Sequence, residues 1–271
     1  MRPPLASKRA LLEWTRRVLR AHEIRPRRSL GQNFVVDPRL VLEIARNMRG
    51  CNYVVEPGAG LGVVTSRLSD NAGYVLGVEV DARFIPLLGE VAREHKNIDV
   101  VYGDILELFF ERVECMAGNL PYSITGPFFS RLVKVFRPKS AIFTVQREVA
   151  SRLAAKPGTS SYGRLTVLVQ LVYEVKLGNV YPPSSFYPPP EVYSQTVNLR
   201  LREDAVSPSE IEIVEEFTRC LFSQRNKRVA KVLRSCCENG DFVNDVGERR
   251  VYELSPSEVY SLALKCFGSS R

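Results

Sequence analysis

The chain has 271 residues, 45% of them hydrophobic, 25% charged and 9% aromatic, a make-up that suits a globular protein with one large domain and a smaller companion. That apolar content excludes disorder, and a membrane-spanning helix is excluded because no run reaches 18 apolar residues. The net charge of +8 is concentrated: residues 1–31 carry net +7 and residues 219–234 a further +6, so the remainder is acidic. Two basic segments of this kind suit phosphate neutralisation, although charge alone does not separate that from a solvated surface.

From Ala6 to His22, Leu11, Leu12, Trp14, Val18 and Leu19 recur at helical spacing among arginines, which predicts a basic amphipathic helix ended near Pro26. Such a helix suits a membrane surface, a transit peptide or RNA; Glu13, Glu23 and the ordered-looking sequence that follows weigh against transit. No apolar stretch of signal-peptide type is seen, so the cytoplasm is the expected location.

Residues 38–145 then alternate. Helices are predicted at Pro38–Met48, Val63–Ser69, Phe84–Glu94 and Gly126–Val135, and strands at Tyr53–Val55, Tyr74–Val80, Ile98–Tyr102, Glu114–Ala117 and Ser140–Val145. Alternation at these lengths predicts an α/β, Rossmann-like fold with a parallel sheet and helices on both faces. Arg164–Tyr173 and Gln195–Leu201 each fit helix or strand, on either side of the proline-rich Tyr181–Pro190. The turn at Asp204–Pro208 opens a mostly helical tail. The expected division is a Rossmann-like domain over residues 1–203, its first 30 residues a basic extension, and a small all-helical C-terminal domain over residues 204–271.

The six cysteines, Cys51, Cys115, Cys220, Cys236, Cys237 and Cys266, form no C-x-x-C pair, and His22 and His95 are the only histidines. A zinc site of usual spacing cannot be assembled from them, so no metal is expected. The cysteines are expected to be reduced thiols, with Cys236-Cys237 alone placed for redox behaviour.

The strand Tyr53–Val55 runs into Glu56-Pro-Gly-Ala-Gly-Leu-Gly62. Glycines there permit a tight turn and close approach of a ligand, though in isolation a plain strand-to-helix connection explains them equally. The spacing is G-x-G-x-G, where the dinucleotide fingerprint needs its third glycine at Val63, so hydride transfer with NAD is disfavoured; no P-loop Lys-Ser/Thr follows. Glu79 closes the second strand, before Asp81, where a carboxylate can accept hydrogen bonds from ribose hydroxyls. Asp104 closes the third. Strand ends carrying Gly, Glu and Asp at one sheet edge mark a ligand site.

The strand Glu114–Ala117 leads to Gly118-Asn119-Leu120-Pro121-Tyr122 at that same edge. Methylation of an exocyclic adenine amine requires its delocalised lone pair to be drawn into tetrahedral geometry. Two acceptors, the Asn119 side-chain oxygen and a backbone carbonyl near Leu120, can impose that geometry and stabilise the positive charge that develops. Pro121 stiffens the loop, and Tyr122 offers a ring on which a base stacks. The methylated nitrogen is acidic enough to need no dedicated base.

Six motifs stand in an order that resembles the KsgA/RsmA-type ribosomal RNA small-subunit adenine N6-dimethyltransferases: Leu30–Asp37, Glu56–Gly62, Val78–Asp81, Gly103-Asp104, Asn119–Tyr122 and Phe186–Ser194. The resemblance spans nearly the whole chain. It implies a class I S-adenosylmethionine-dependent methyltransferase that dimethylates two adjacent adenosines in the 3′-terminal hairpin of 16S-type small-subunit rRNA. It implies further that Gln32, Asn33, Phe34 and Val35 line the methionine side of S-adenosylmethionine, approached by Gly58 and Gly60. Glu79 would bind the ribose, and Asp104 with Ile105 the adenine. Asn119 would orient the target amine, with Leu120 and Pro121 completing its loop, and Tyr122 and Phe186 would sandwich the flipped base.

The basic residues Arg27, Arg28, Arg225, Lys227, Arg228 and Lys231 are the candidates for RNA contact, with the 30S-type particle as partner, no membrane, and a monomer expected. Thr144–Ala150 and Ser161–Thr166 also look family-like; Arg147 and Arg164 suit phosphate or an internal ion pair equally. Two other readings stay open: a large-subunit rRNA methyltransferase of the macrolide-resistance type, and a non-catalytic RNA-binding assembly factor.

Overall fold

The computed structural model describes residues 2–237 and 248–267. A seven-stranded sheet organises the chain, in the order β4-β3-β2-β5-β6-β9-β7. Five of its strands are β2 (Tyr53–Pro57), β3 (Tyr74–Glu79), β4 (Ile98–Tyr102), β5 (Cys115–Asn119) and β6 (Ser140–Gln146). They pair in parallel, for example Glu79 opposite Tyr102 and Asn119 opposite Thr144. Helices α2 (Pro38–Asn47), α3 (Val63–Ser69) and α4 (Ile85–Glu94) alternate with them as the periodicity predicts.

The sheet is mixed rather than wholly parallel. β9 (Ser194–Leu201) runs antiparallel to β6, with Gln146 opposite Ser194, and β7 (Tyr173–Tyr181) forms the edge beyond it. Of the two ambiguous segments, Gln195–Leu201 is thus strand, whereas Arg164–Gln170 is helix. A separate two-stranded ribbon pairs β1 (Phe34–Val35) with β8 (Phe186–Tyr187), antiparallel, Phe34 opposite Tyr187.

Helix α1 (Lys8–Ala21) forms where the spacing predicts it, and the Ser7 side chain accepts a hydrogen bond from the Ala10 N–H at its start. Its Leu11, Trp14, Val18 and Leu19 are buried in one cluster with Leu40 and Ile44 of α2, Leu87 of α4, Val54 of β2 and Phe186. The basic extension is therefore packed on the sheet's helical layer. Asp37 caps α2 by accepting from the Arg39 N–H, with Pro38 at the first helical position, where its missing N–H costs nothing.

By density of contacts the chain forms two compact units. The first comprises residues 1–128, 138–147 and 176–200; the second comprises 129–137, 148–175 and 201–271. This differs from a single cut near residue 203, because the segment from α6 (Arg147–Leu153) through α7 (Arg164–Gln170) groups with the C-terminal helices. In the second unit α8 (Pro208–Ser223) packs on α7, α9 (Val229–Cys236) and α10 (Pro256–Phe267). Ile211, Val214, Phe217 and Leu221 supply its buried face. Ser207 and Glu210 form a reciprocal cap at its start.

The expectation of reduced cysteines is corrected by the structure, in which all six are paired: Cys51 with Cys115, Cys220 with Cys236, and Cys237 with Cys266. The reason is tertiary. Val54 of β2 lies opposite Cys115 of β5, which brings Cys51 beside it, while α8, α9 and α10 bring the others together. Spacing along the chain carries none of this connectivity.

Candidate active site

The carboxyl ends of β2, β3, β4 and β5 open into one cleft, the place where ligands bind in open α/β sheets. All nine predicted cofactor residues line it: Gln32, Asn33, Phe34, Val35, Gly58, Gly60, Glu79, Asp104 and Ile105. Asn119 and Pro121 line the same cleft. Leu120, Tyr122 and Phe186 do not.

The glycine turn fixes the floor. Gly58 and Gly60 have φ of +74° and +55°, a region that favours glycine. A Cβ on Gly58 would lie 3.3 Å from the Pro121 ring, and one on Gly60 would lie 3.2 Å from the Phe34 ring. Gly62 also has positive φ, +72°, but it does not line the cleft, and its missing Cβ makes room for Val91 of α4. The departure from the dinucleotide spacing is thus a matter of helix packing.

Glu79, at the end of β3, braces the turn. One carboxylate oxygen accepts the Gly60 N–H at 2.8 Å and the other accepts the Asp81 N–H at 2.8 Å. Burial raises its pKa. Each oxygen keeps a lone pair beyond those bonds, which is what a diol ligand needs. Asp81 points elsewhere: it accepts from Arg83 and, at 2.8 Å, from the Gln32 amide, and the Arg83 guanidinium holds its pKa well below the ordinary range. Asp104 caps its own turn by accepting the Leu106 N–H at 2.9 Å.

Glu56 belongs to the site although its place in the sequence assigns it no role. It is 1% exposed, and burial, with the nearby Glu79 charge adding, pushes its pKa up to about 8. Its Oε2 has no hydrogen-bond partner and it lines the cleft. The one signal in the sequence is an acid at a strand end directly before the glycine turn.

Asn119 closes β5. Its Nδ2 donates to the Asn33 carbonyl at 2.8 Å, which fixes the amide plane, and its Oδ1 is buried without a partner. A buried amide oxygen left unmatched costs about 1–3 kcal/mol, so the site holds an acceptor in want of a donor. The Leu120 N–H donates to the Thr144 carbonyl at 3.1 Å and its side chain is fully buried, so this residue anchors the loop to β6. The Tyr122 hydroxyl and the Ser194 hydroxyl are hydrogen-bonded at 2.5 Å, and burial raises the tyrosine's pKa. Phe186 is 2% exposed and sits opposite Val35 in the ribbon.

The basic candidates divide. Arg27 and Arg28 are exposed, on the turn that leads into Gly31 and Gln32. In the second unit, Arg225 spends its guanidinium on the carbonyls of Ser160 (2.9 Å) and Thr159 (3.2 Å) and stacks over Tyr252. That is an internal, structural use, and Arg228 pairs with Glu248 at 2.6 Å. Lys227 and Lys231 are exposed, with no acidic partner among the described residues. Arg147 is likewise exposed at the end of β6. Among the described residues no group of His, Cys, Asp and Glu is arranged for a metal, and no helix is long and apolar enough to cross a membrane.

The chain is similar to known proteins in sequence and in fold. The ribosomal RNA adenine dimethylase family matches residues 24–262. Ribosomal RNA small subunit methyltransferase A of Pelotomaculum thermopropionicum is 38% identical over 237 residues, covering 80% of each chain. The probable ribosomal RNA small subunit methyltransferase A of Pyrobaculum aerophilum is 36% identical, covering 87% of this chain and 96% of the relative. In fold the chain is similar to a dimethyladenosine transferase from Plasmodium falciparum (TM-score 0.74, 24% identity, 87% of this chain and 98% of that one). It is also similar to the 23S rRNA methyltransferase ErmE (TM-score 0.69, 24% identity, 86% and 99%). This chain belongs to the ribosomal RNA adenine dimethylase family.

Proposed function

We propose that the protein transfers methyl groups from S-adenosylmethionine to the N6 amine of two adjacent adenosines in the 3′-terminal hairpin of small-subunit rRNA, acting as a cytoplasmic monomer on the 30S-type particle. The carrying observation is Asn119: a buried amide oxygen without a donor, held rigid by Asn33, in the cleft that the nine cofactor residues line. When bound, S-adenosylmethionine supplies a methyl carbon made electrophilic by its sulfonium. The residues fit it: the Gly58–Gly60 turn leaves the backbone open to close approach, and Glu79 keeps lone pairs for the ribose hydroxyls. Asp104 and Ile105 flank the adenine end; Gln32, Asn33, Phe34 and Val35 border the methionine end.

The protein's part in the reaction is orientation. Asn119 Oδ1 accepts one amine proton and a backbone carbonyl near Leu120 the other, so the nitrogen lone pair turns toward the cleft and the charge that grows on it is stabilised. Tyr122, fixed through Ser194, is the ring offered to the extruded base, while Phe186, 2% exposed and buried in the core cluster, anchors the ribbon beside it. Neither histidine lines the cleft, and the methylated nitrogen releases its proton to solvent. Arg27, Arg28, Lys227 and Lys231 meet rRNA phosphates.

The test is mass spectrometry of rRNA from unmethylated small and large subunits after incubation with isotopically labelled S-adenosylmethionine. Two N6,N6-dimethyladenosines in small-subunit rRNA are expected; label only in large-subunit rRNA, or none, overturns the reading. Asn119→Ala should lower transfer about 10²–10³-fold, as loss of one charge-stabilising acceptor does, with cofactor affinity retained. Glu79→Ala should chiefly weaken cofactor binding, which calorimetry reads.

A further inference from the structure

Helix α1 has one face committed and one free. Leu11, Trp14, Val18 and Leu19 are buried in the core, so the apolar stripe that a membrane-surface helix would insert is not available. The opposite face carries Arg16, Arg17 and Arg20, all exposed and none with an acidic partner among the described residues. Arg9 on that face is already paired with Glu13 at 2.9 Å.

The helix and the segment that follows it are tied down at three points, one on this face and two beyond the end of the helix. The Arg16 guanidinium lies over the Tyr187 ring, 5.1 Å from its centroid, and Tyr187 follows Phe186 in β8. The Arg27 N–H donates to the Gln32 side-chain oxygen at 2.8 Å, and the Gln32 amide in turn donates to Asp81. Arg83, paired with Asp81, donates to the Arg25 carbonyl at 3.0 Å. The chain from α1 to the cleft is therefore held to the end of β3 and to the ribbon. Its charges stand at set positions relative to the reacting centre, and a polyanion bound there loses little to ordering the protein.

We infer that the exposed arginine face of α1, Arg16, Arg17 and Arg20, is a preorganised clamp for the phosphate backbone of the rRNA segment that carries the target adenosines. This rests on the function proposed above and extends it, since RNA contact at Arg27 and Arg28 alone would leave the helix face idle. Arg16 is the link between the two: it is exposed and its guanidinium lies over the Tyr187 ring, so a phosphate held there lies beside β8. Arginine suits the role, because its planar fork stacks on an aromatic ring and still offers donors to phosphate.

The experiment measures the dissociation constant of the full chain for unmethylated small subunits across a salt series. The variant is the triple Arg16→Gln, Arg17→Gln, Arg20→Gln. Each phosphate contact contributes about 0.7–0.9 to the slope of log K against log salt, so the triple variant should flatten the slope by about 2 to 3. Arg16→Lys, Arg17→Lys, Arg20→Lys should keep most of the slope, which separates charge from helix packing. A control triple, Arg46→Gln on α2, Arg49→Gln in the turn after it and Arg93→Gln on α4, should leave it unchanged, and calorimetry should find cofactor affinity equal in all three. An unaltered slope in the first triple, or an equal change in the control, overturns the clamp. Methyl transfer by wild type to the same particles separates the two readings: if wild type methylates and the slope is unaltered, the clamp alone fails, whereas a wild type that neither binds nor methylates removes both.

Discussion

In the cleft, Asn119 and Glu56 each keep one buried oxygen without a hydrogen-bond partner, and the consequences differ because one is an amide and the other an acid. The amide oxygen stays an acceptor at every pH. Glu56 ionises near 4.5 in an unfolded chain but only near 8 in the fold, because burial opposes its charge. Between those two values the unfolded chain holds fewer protons than the folded one, so stability falls as pH rises from about 4.5 to about 8, then levels. Glu56→Gln keeps the shape and removes the titration. The variant should therefore be more stable than wild type at pH 8, by roughly 1.4 kcal/mol for each pH unit between those two values, and should match it near pH 4. Thermal melts across that range check this, and a wild-type advantage at pH 8 would contradict it. Glu56 is also the least legible residue of the cleft in the sequence: an acid beside a glycine turn is visible, but its burial and unmatched oxygen come from the packing of β2 against β3 and β5.

The strand-to-helix turn after β2 shows three glycines with positive φ and two different uses. Alanine at Gly60 or Gly62 forces a left-handed backbone on an L-residue, at about 1–2 kcal/mol each. Gly60→Ala should in addition weaken cofactor binding, because its Cβ meets the Phe34 ring at 3.2 Å and its N–H holds Glu79. Gly62→Ala should lose stability with cofactor affinity kept, since its Cβ meets Val91 Cγ2 at 3.0 Å, on the far side of the turn from the ligand. Paired calorimetry and thermal melts distinguish them; equal loss of affinity in both would contradict the division. The elements most legible in the sequence are α1 and α2, by their helical period, and β2 through β6, because burial on a central parallel sheet demands continuous apolar runs; the two-residue β1 is not among the predicted strands. β7 is hidden for the opposite reason. It is an edge strand in which Glu174, Leu177 and Val180 face solvent, so neither alternation nor a solid apolar run marks it. The nine residues expected to hold the cofactor are picked out by motif order, and one cleft gathers all of them. Arg225 is not, because only tertiary structure reveals that its guanidinium is taken up by two carbonyls.

At the scale of the whole molecule, the three disulfides join segments that the chain's order keeps apart, and each acts within one compact unit. Cys51–Cys115 ties the entry of β2 to β5 across 64 residues, the two strands whose far ends carry Glu56 and Asn119. Cys220–Cys236 and Cys237–Cys266, across 16 and 29 residues, tie α8 to α9 and the end of α9 to α10. A cross-link limits the unfolded chain by an amount that grows with the closed loop, about 3 kcal/mol for the shortest of these and about 4 kcal/mol for the longest. The sheet unit has a large apolar cluster and one bridge, whereas the helical unit is the smaller of the two and holds two bridges, so it depends more on them. Reduction should therefore act unequally. Cys51→Ala with Cys115→Ala should lower the melting temperature yet leave a folded protein that binds S-adenosylmethionine, because the cleft is held by the parallel ladder and by Glu79. Removing the other two pairs should unfold the C-terminal helices first, seen as loss of hydrogen-exchange protection in α8, α9 and α10 at a temperature where β2, β3 and β5 remain protected. Cofactor affinity should then survive while binding to the small subunit weakens, since Lys227 and Lys231 lose their placement on α9 and the turn before it. Equal protection in all three helices with and without reductant, in a sample whose thiols are shown by mass to be free, would mean that the bridges contribute nothing to the unit they span.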